Sequence, residues 1–395
     1  MNKVALIITI FFLSLACLKV ENSHNSKNDI YEVPSSKYLI EKGNFLSGKL
    51  DPSTAQNEKL KRISKTKEYK QFQTNISKYW SFFDKKVIEP LKKWKTLNLP
   101  AVTATTVFYP FSGPDLPNVF TLFPDADTYI LIGLEAGGFI PNFDSMSKTN
   151  VINGLNDLHQ SLDSISRLNY FQTLHMIRNI SASEFKGVAA VLLAYMSFLN
   201  LEPVAFRYIT IRNNGTISYL NELEIQESDR LNKGYFSLEV LFKDPSTKNL
   251  KTLYFLSANL ANNGLQNVNP GIMPFLEKYK KFVSPIKAAS YLLHYENFAT
   301  IRNFLIKRAE LIVMDDTGPQ INDIKEDFDI KVFGKYTRPI RLWPERYQPE
   351  LTKLHELQKP KKINFRYGYG TYDGNHHIMI ARRKHSTDHS STEPF

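Results

Sequence analysis

The chain has 395 residues, of which 42% are hydrophobic, 13% aromatic and 23% charged, and its formal net charge is +11. Its 27 Phe and 20 Tyr exclude a chain that is disordered throughout, and 17 Gly and 20 Pro without sustained heptads exclude collagen-like and coiled-coil architectures. A single cysteine excludes an intrachain disulfide framework and any Cys-rich zinc or iron–sulfur site.

In chain order, Lys3 and the apolar run Val4–Leu13, followed by the small residues Ser14 and Ala16, read as a secretory signal peptide over 1–16. The run is shorter than the roughly 20 residues a spanning helix needs. Cys17 stands where cleavage is expected, and Leu13-Ser14-Leu15-Ala16-Cys17 resembles a spirochaete-type bacterial lipobox. That resemblance implies an acylated Cys17 (a palmitate-type modification) with membrane lipid as its partner. Leu18, rather than Asp, after the cysteine implies sorting toward the outer membrane. Residues 17–65, rich in Asn, Ser and Lys and without clear periodicity, are expected to be the lipidated N-terminus and a flexible tether. A single large α/β domain over 66–384 and a disordered tail over 385–395 are expected to follow.

Between Lys67 and Leu97, Tyr69, Phe72, Ile76, Tyr79, Trp80, Phe83 and Val87 recur at three- and four-residue spacing, which predicts a helix with one buried face, kinked or restarted at Pro90. Strands are predicted at Thr105–Phe111 and Thr128–Leu134. The first closes on Ser112-Gly113-Pro114-Asp115 and the second on Glu135-Ala136-Gly137-Gly138. Helices follow over 150–180 and at Glu184–Leu199, the latter apolar on nearly all sides. A hairpin-rich section comes next: Val204–Ile211 with a turn at Asn213-Asn214-Gly215, then Tyr235–Phe242 paired with Leu250–Leu256. Met273–Phe282, Ile286–His294 and Phe298–Ala309 read as helices, and Glu310–Met314, 329–334 and 377–381 as strands. The fold class is therefore α/β, a mixed, partly parallel sheet with flanking helices and a hairpin-rich middle.

Candidate chemistry sits at strand ends, where open α/β sheets bind ligands. Ser112, Gly113, Asp115 and Glu135 form the ligand-binding candidate set. Their spacing resembles a reduced nucleotide-binding layout, but one glycine stands where a dinucleotide fingerprint has three, and Pro114 removes an N–H, so no cofactor is assigned. Asp315 and Asp316, following the strand ELIVM, are catalytic candidates as an acid/base pair, provided both side chains converge beyond the strand end. His294 is the third catalytic candidate, on a predicted helical face with Lys287 and Tyr291. His376, His377, His385 and His389 alternate or lie in the tail, and no metal site is assigned to them. The basic residues, densest at Lys359–Lys362 and Arg382–Lys384, come without any nucleic-acid-binding signature and read as a solvated surface, so no nucleic-acid partner is expected. There is no G-x-S-x-G, H-E-x-x-H or P-loop motif.

The Tyr-Pro-Phe-Ser-Gly-Pro-Asp segment, the Ala-Ser-Tyr-Leu-Leu-His segment and the Asp-Asp-Thr-Gly turn together resemble an uncharacterised family of exported bacterial lipoproteins of spirochaete type. The resemblance implies one shared domain over roughly 100–380 and brings no activity with it. The residues together lead us to expect a cell-envelope lipoprotein that binds an envelope or host ligand. The alternative is an extracytoplasmic, metal-assisted hydrolase using the strand-end carboxylates.

Overall fold

A computed structural model describes residues 33–168, 184–230, 236–340, 343–369 and 376–384. The signal peptide, Cys17, the distal part of the helix expected over 150–180 and the tail with His385 and His389 lie outside the described residues.

Two helices, α1 (Ser36–Leu46) and α2 (Glu58–Ser64), open the fold. For residues 33–65 the expected tether is corrected here: Leu39, Phe45, Leu46, Leu60 and Ile63 of these helices are buried in the main core. The long amphipathic stretch becomes α3 (Lys67–Phe83), a π-helical turn at Asp84–Ile88, and α4 (Glu89–Asn98) with Pro90 in its first turn. Pro90 has no N–H to donate, so it fits a helix start, and the π turn directly precedes it. The predicted face is the buried one: Tyr69, Phe72, Ile76, Tyr79 and Phe83 all point inward.

β1 (Thr106–Tyr109), α5 (Leu116–Leu122) and β2 (Thr128–Gly133) form a parallel crossover unit. After α6 (Lys148–Leu168) comes α7 (Ala189–Phe198), buried at every position, as its all-apolar sequence requires. The hairpin section supplies β3 (Glu202–Ile211), β4 (Ile217–Tyr219), α8 (Glu222–Arg230), β5 (Ser237–Lys243) and β6 (Leu250–Ser257). α9 (Ile272–Leu276), β7 (Phe282–Ile286), α10 (Ala299–Arg308) and β8 (Ala309–Met314) restore the α/β alternation. α11 (Ile321–Ile324), β9 (Phe328–Gly334), α12 (Pro349–Gln358) and β10 (His377–Arg383) complete it.

All ten strands form one sheet, ordered β4-β3-β5-β6-β2-β1-β7-β8-β10-β9. The run β6-β2-β1-β7-β8 is parallel throughout, and antiparallel strands flank it on both sides. Side chains alternate between two cores, as the strand period demands. Val107, Tyr109, Tyr129 and Leu131 face α1 and α3–α7, whereas Phe108, Ile130 and Ile132 face α9–α12. The chain moves one way from β1 to β2 and β6, then jumps back to β7 and continues to β8. The sheet's topological switch point thus lies between β1 and β7, and a crevice for ligands is expected outside the carboxyl ends of those strands.

Candidate functional site

Four strand ends bring the candidate residues to one edge. Beyond β1 the backbone turns through positive φ at Phe111 and Gly113 and enters α5 at Asp115. Ser112 extends the β1–β2 pairing, its N–H donating to Ile132 O at 2.9 Å, and its hydroxyl donates to Gly113 O at 2.8 Å. Beyond β2, Glu135 folds back over the chain: a Cβ placed on Gly133 would stand 2.2 Å from Glu135 Oε2 and 3.1 Å from Gly113 Cα. Gly133 is therefore required there by close approach, and Glu135 is sealed at 1% exposure.

At the switch point itself Asp115 meets Lys287, the first residue beyond β7. Lys287 Nζ lies 2.9 Å from Asp115 Oδ2, and each side chain is 2% exposed. Tyr109 OH donates to the same oxygen at 3.0 Å, and Asn118 Nδ2 donates to Oδ1 at 2.8 Å. Burying two charges costs several kcal/mol per ion by general estimates, and only full satisfaction of this kind offsets it.

Beyond β8 the two aspartates diverge. Asp315 accepts from Ala288 N–H at 2.9 Å and from Thr317 N–H at 3.0 Å, with the Thr317 hydroxyl also donating to it. Asp316 turns the other way and accepts from Tyr291 OH at 2.7 Å. Its Oδ1 stands 3.4 Å from His377 Nε2, which in turn accepts the Asp316 N–H at 3.0 Å. Burial, together with the neighbouring Asp316 carboxylate, pushes Asp315 up to about 6. The two carboxylates thus take separate sets of donors, Asp315 those of Ala288 and Thr317 and Asp316 that of Tyr291.

The expected helix at Ile286–His294 is also corrected. β7 ends at Ile286, and Ala288, Ser290 and Tyr291 all have φ between 50° and 54°. Only a short 3-10 turn, Leu292–His294, is helical. The left-handed backbone lets the Ala288 and Ala289 N–H groups reach Asp315 and Thr317, bonds that a helix would deny them. His294 Nε2 donates to Gly318 O at 2.8 Å, and its ring packs edge-on against Tyr291 rather than against either aspartate. Desolvation by burial lowers its pKa.

Ser112, Asp115, Glu135, Asp315 and Asp316 are thus gathered along one edge but are all at most 2% exposed. They form a buried underlayer. The sequence reading missed Tyr109, Asn118, Thr317 and Gln348, which complete the network. His377, to which the sequence reading assigns no site, also joins the network through Asp316. Gln348 donates from Nε2 to Asp316 O at 2.9 Å and accepts from Ile321 N–H at 3.1 Å. Among the described residues no group of three His, Cys, Asp or Glu side chains is placed to hold a metal ion. A groove of about 580 Å³ lies elsewhere, lined by Arg302, Lys307, Asp323, Asp327 and Arg383 among others.

Comparison of the chain with protein-family models, with curated proteins and with solved structures returns no match.

Proposed function

We propose that the chain is a lipid-anchored protein of the bacterial cell envelope, held through Cys17, that binds its ligand at the carboxyl edge of the parallel strands. The observation that carries this reading is the state of the strand-end carboxylates. Asp115 is taken up by Lys287, Tyr109 and Asn118, and Asp315 by Ala288 and Thr317. Such groups make a rigid floor, and a preorganised floor lowers the ordering cost of binding a ligand. Among the described residues no group of three His, Cys, Asp or Glu side chains is placed to hold a metal ion, so nothing there favours the metal-assisted alternative. The sequence before residue 33 supports the anchor, because two or more acyl chains hold a protein on a bilayer without any spanning helix.

The test is intact-mass analysis and detergent partition of the protein from its native cells. The expected result is a mature chain beginning at Cys17 with added acyl mass, recovered in the detergent phase. Cys17→Ala is expected to abolish both. An unmodified mass in the aqueous phase would overturn the anchored reading and favour a soluble enzyme.

A further inference from the structure

Above the buried floor the same edge carries an aromatic and basic shelf. Tyr291, whose hydroxyl is fixed on Asp316, packs against Trp343 at 5.5 Å and Tyr369 at 6.4 Å between ring centroids, and Trp343 and Tyr369 stand 4.7 Å apart. Trp343 is only partly buried. Beside it the Arg346 guanidinium lies 3.9 Å over the ring of Tyr295, which is 36% exposed. The Nε–H of Arg346 is buried without an acceptor, and the Glu345 carboxylate at 3.9 Å is too far to bond it. Ser290 is exposed, with its hydroxyl 3.1 Å from Tyr369 OH.

The segment that supplies Trp343, Arg346 and Tyr369 is strongly basic in sequence. Residues 335–369 carry nine Lys and Arg against three Glu, a net +6 of the +11 in the whole chain. Gly334 N–H donates to Lys361 O, which brings the far end of this segment back to the carboxyl edge. The planar Arg346 guanidinium is shaped for a carboxylate or phosphate.

We infer that this shelf, formed by Ser290, Tyr291, Tyr295, Trp343, Arg346 and Tyr369, binds an anionic sugar unit of an envelope or host polysaccharide. The part-exposed rings would stack on the apolar face of a pyranose, Arg346 would take its carboxylate or phosphate in a two-pronged hydrogen bond, and the Ser290 hydroxyl would meet a ring hydroxyl. Tyr291 and Tyr369 are 1% and 5% exposed, so solvent reaches only the partly buried Trp343 and the 36% exposed Tyr295, rather than the row of stacking faces that a nucleic-acid strand uses. This inference rests on the binding reading above and assigns that site its ligand class.

The experiment is titration of the detergent-extracted full-length protein with hyaluronate, a glucuronate-containing polymer. Neutral dextran, poly-glutamate and a single-stranded oligonucleotide serve as comparators, and tryptophan fluorescence is the readout. Hyaluronate is expected to bind at least tenfold more tightly than any comparator. Arg346→Gln and Trp343→Ala are each expected to weaken it tenfold or more, and Glu345→Gln to strengthen it. Arg346→Gln leaves the packing of Trp343 on Tyr291 and Tyr369 in place, so it reports even where Trp343→Ala unfolds the shelf. Equal binding of poly-glutamate, tighter binding of the oligonucleotide, no binding of hyaluronate, or an unchanged affinity in Arg346→Gln would each overturn the inference. Acylation of Cys17 is measured separately by mass, so failure of the anchor and failure of the shelf are told apart.

Discussion

At the scale of single residues, burial decides which ion pairs matter. Lys287 and Asp115 meet at 2.9 Å with 2% of each side chain exposed, whereas Arg302 and Glu296 meet at 2.8 Å with 86% of the glutamate exposed. The distances match, but the environments do not. Removing one partner of a buried pair strands the other charge and costs about 3–5 kcal/mol, whereas an exposed pair is worth about 0–1 kcal/mol. Lys287→Met is therefore expected to lower unfolding free energy by about 3 kcal/mol, with Tyr109 and Asn118 still solvating the carboxylate. Glu296→Gln is expected to lower it by less than about 1 kcal/mol. Denaturant midpoints of the two variants check this, and equal losses would refute it. Asp315 adds a pH dependence of opposite sign to the usual carboxylate. Its folded value, about 6, lies above its ordinary value of 3.8, so between those values the folded chain keeps a proton that the unfolded chain has released. The resulting stability is complete below the unfolded value and is lost as pH rises through the folded one. The unfolding free energy of wild type minus that of Asp315→Asn is expected to fall between about pH 4 and pH 7. A difference that stays flat or rises over that window would remove the effect. The positions of Asp115, Asp315 and Asp316 at strand ends could be read from the sequence. Their consumption by Lys287, Ala288 and Tyr291 could not, because those partners come from another strand's end.

At the scale of elements, legibility followed whether local preference and tertiary contacts agree. The face Tyr69–Phe83 of α3 and the short apolar strand β8 are legible because the pattern that forms the element also buries it. The segment beyond β7 is the opposite case. Lys287-Ala288-Ala289-Ser290-Tyr291 has helical composition and spacing, yet three of its residues take positive φ. Each such residue costs roughly 1–2 kcal/mol, and the Ala288 and Ala289 amides recover it by bonding to Asp315 and Thr317. No local pattern announces bonds to residues on the next strand. The exposed edge strand β9 shows a related device: Gln358 of α12 accepts from Val332 N–H at 3.0 Å and donates to Ile330 O at 2.7 Å, occupying the groups a stray strand would pair with. α12 then ends on Lys359, exposed and left-handed at φ 45°. Glycine adopts that cap without strain, so Lys359→Gly is expected to stabilise the chain by about 1 kcal/mol. Thermal melting checks it, and a destabilised variant would show that the lysine side chain, rather than its backbone, holds the cap.

At the scale of the whole molecule, the question is where the folded unit begins. Asn-, Ser- and Lys-rich composition hides α1 as a structural element, because two of its inward positions are Lys42 and Gly43. Gly43 lets the backbones approach: a Cβ there would stand 3.0 Å from Leu193 O of α7. Lys42 is 2% exposed, donates to Pro141 O and lies over the rings of Tyr38 and Phe143, and burial pushes it down to about 8. A composition scan counts both residues as polar or flexible, although both serve the packing. Leu39, Phe45, Leu46, Leu50, Leu60 and Ile63 bury their side chains alongside. At about 1.5–3 kcal/mol for each buried apolar side chain, their loss amounts to roughly 10 kcal/mol or more, which equals the whole stability of an ordinary domain. A chain beginning at Val33 is therefore expected to melt cooperatively at nearly the full-length temperature. One beginning at Thr66 is expected to lose cooperative melting and to aggregate through the uncovered Tyr69, Phe72 and Ile76. Circular dichroism melts of the two chains decide the matter. A cooperative transition in the shorter chain would return residues 33–65 to the status of a tether, and would lengthen the linker between Cys17 and the sheet whose carboxyl edge holds the shelf.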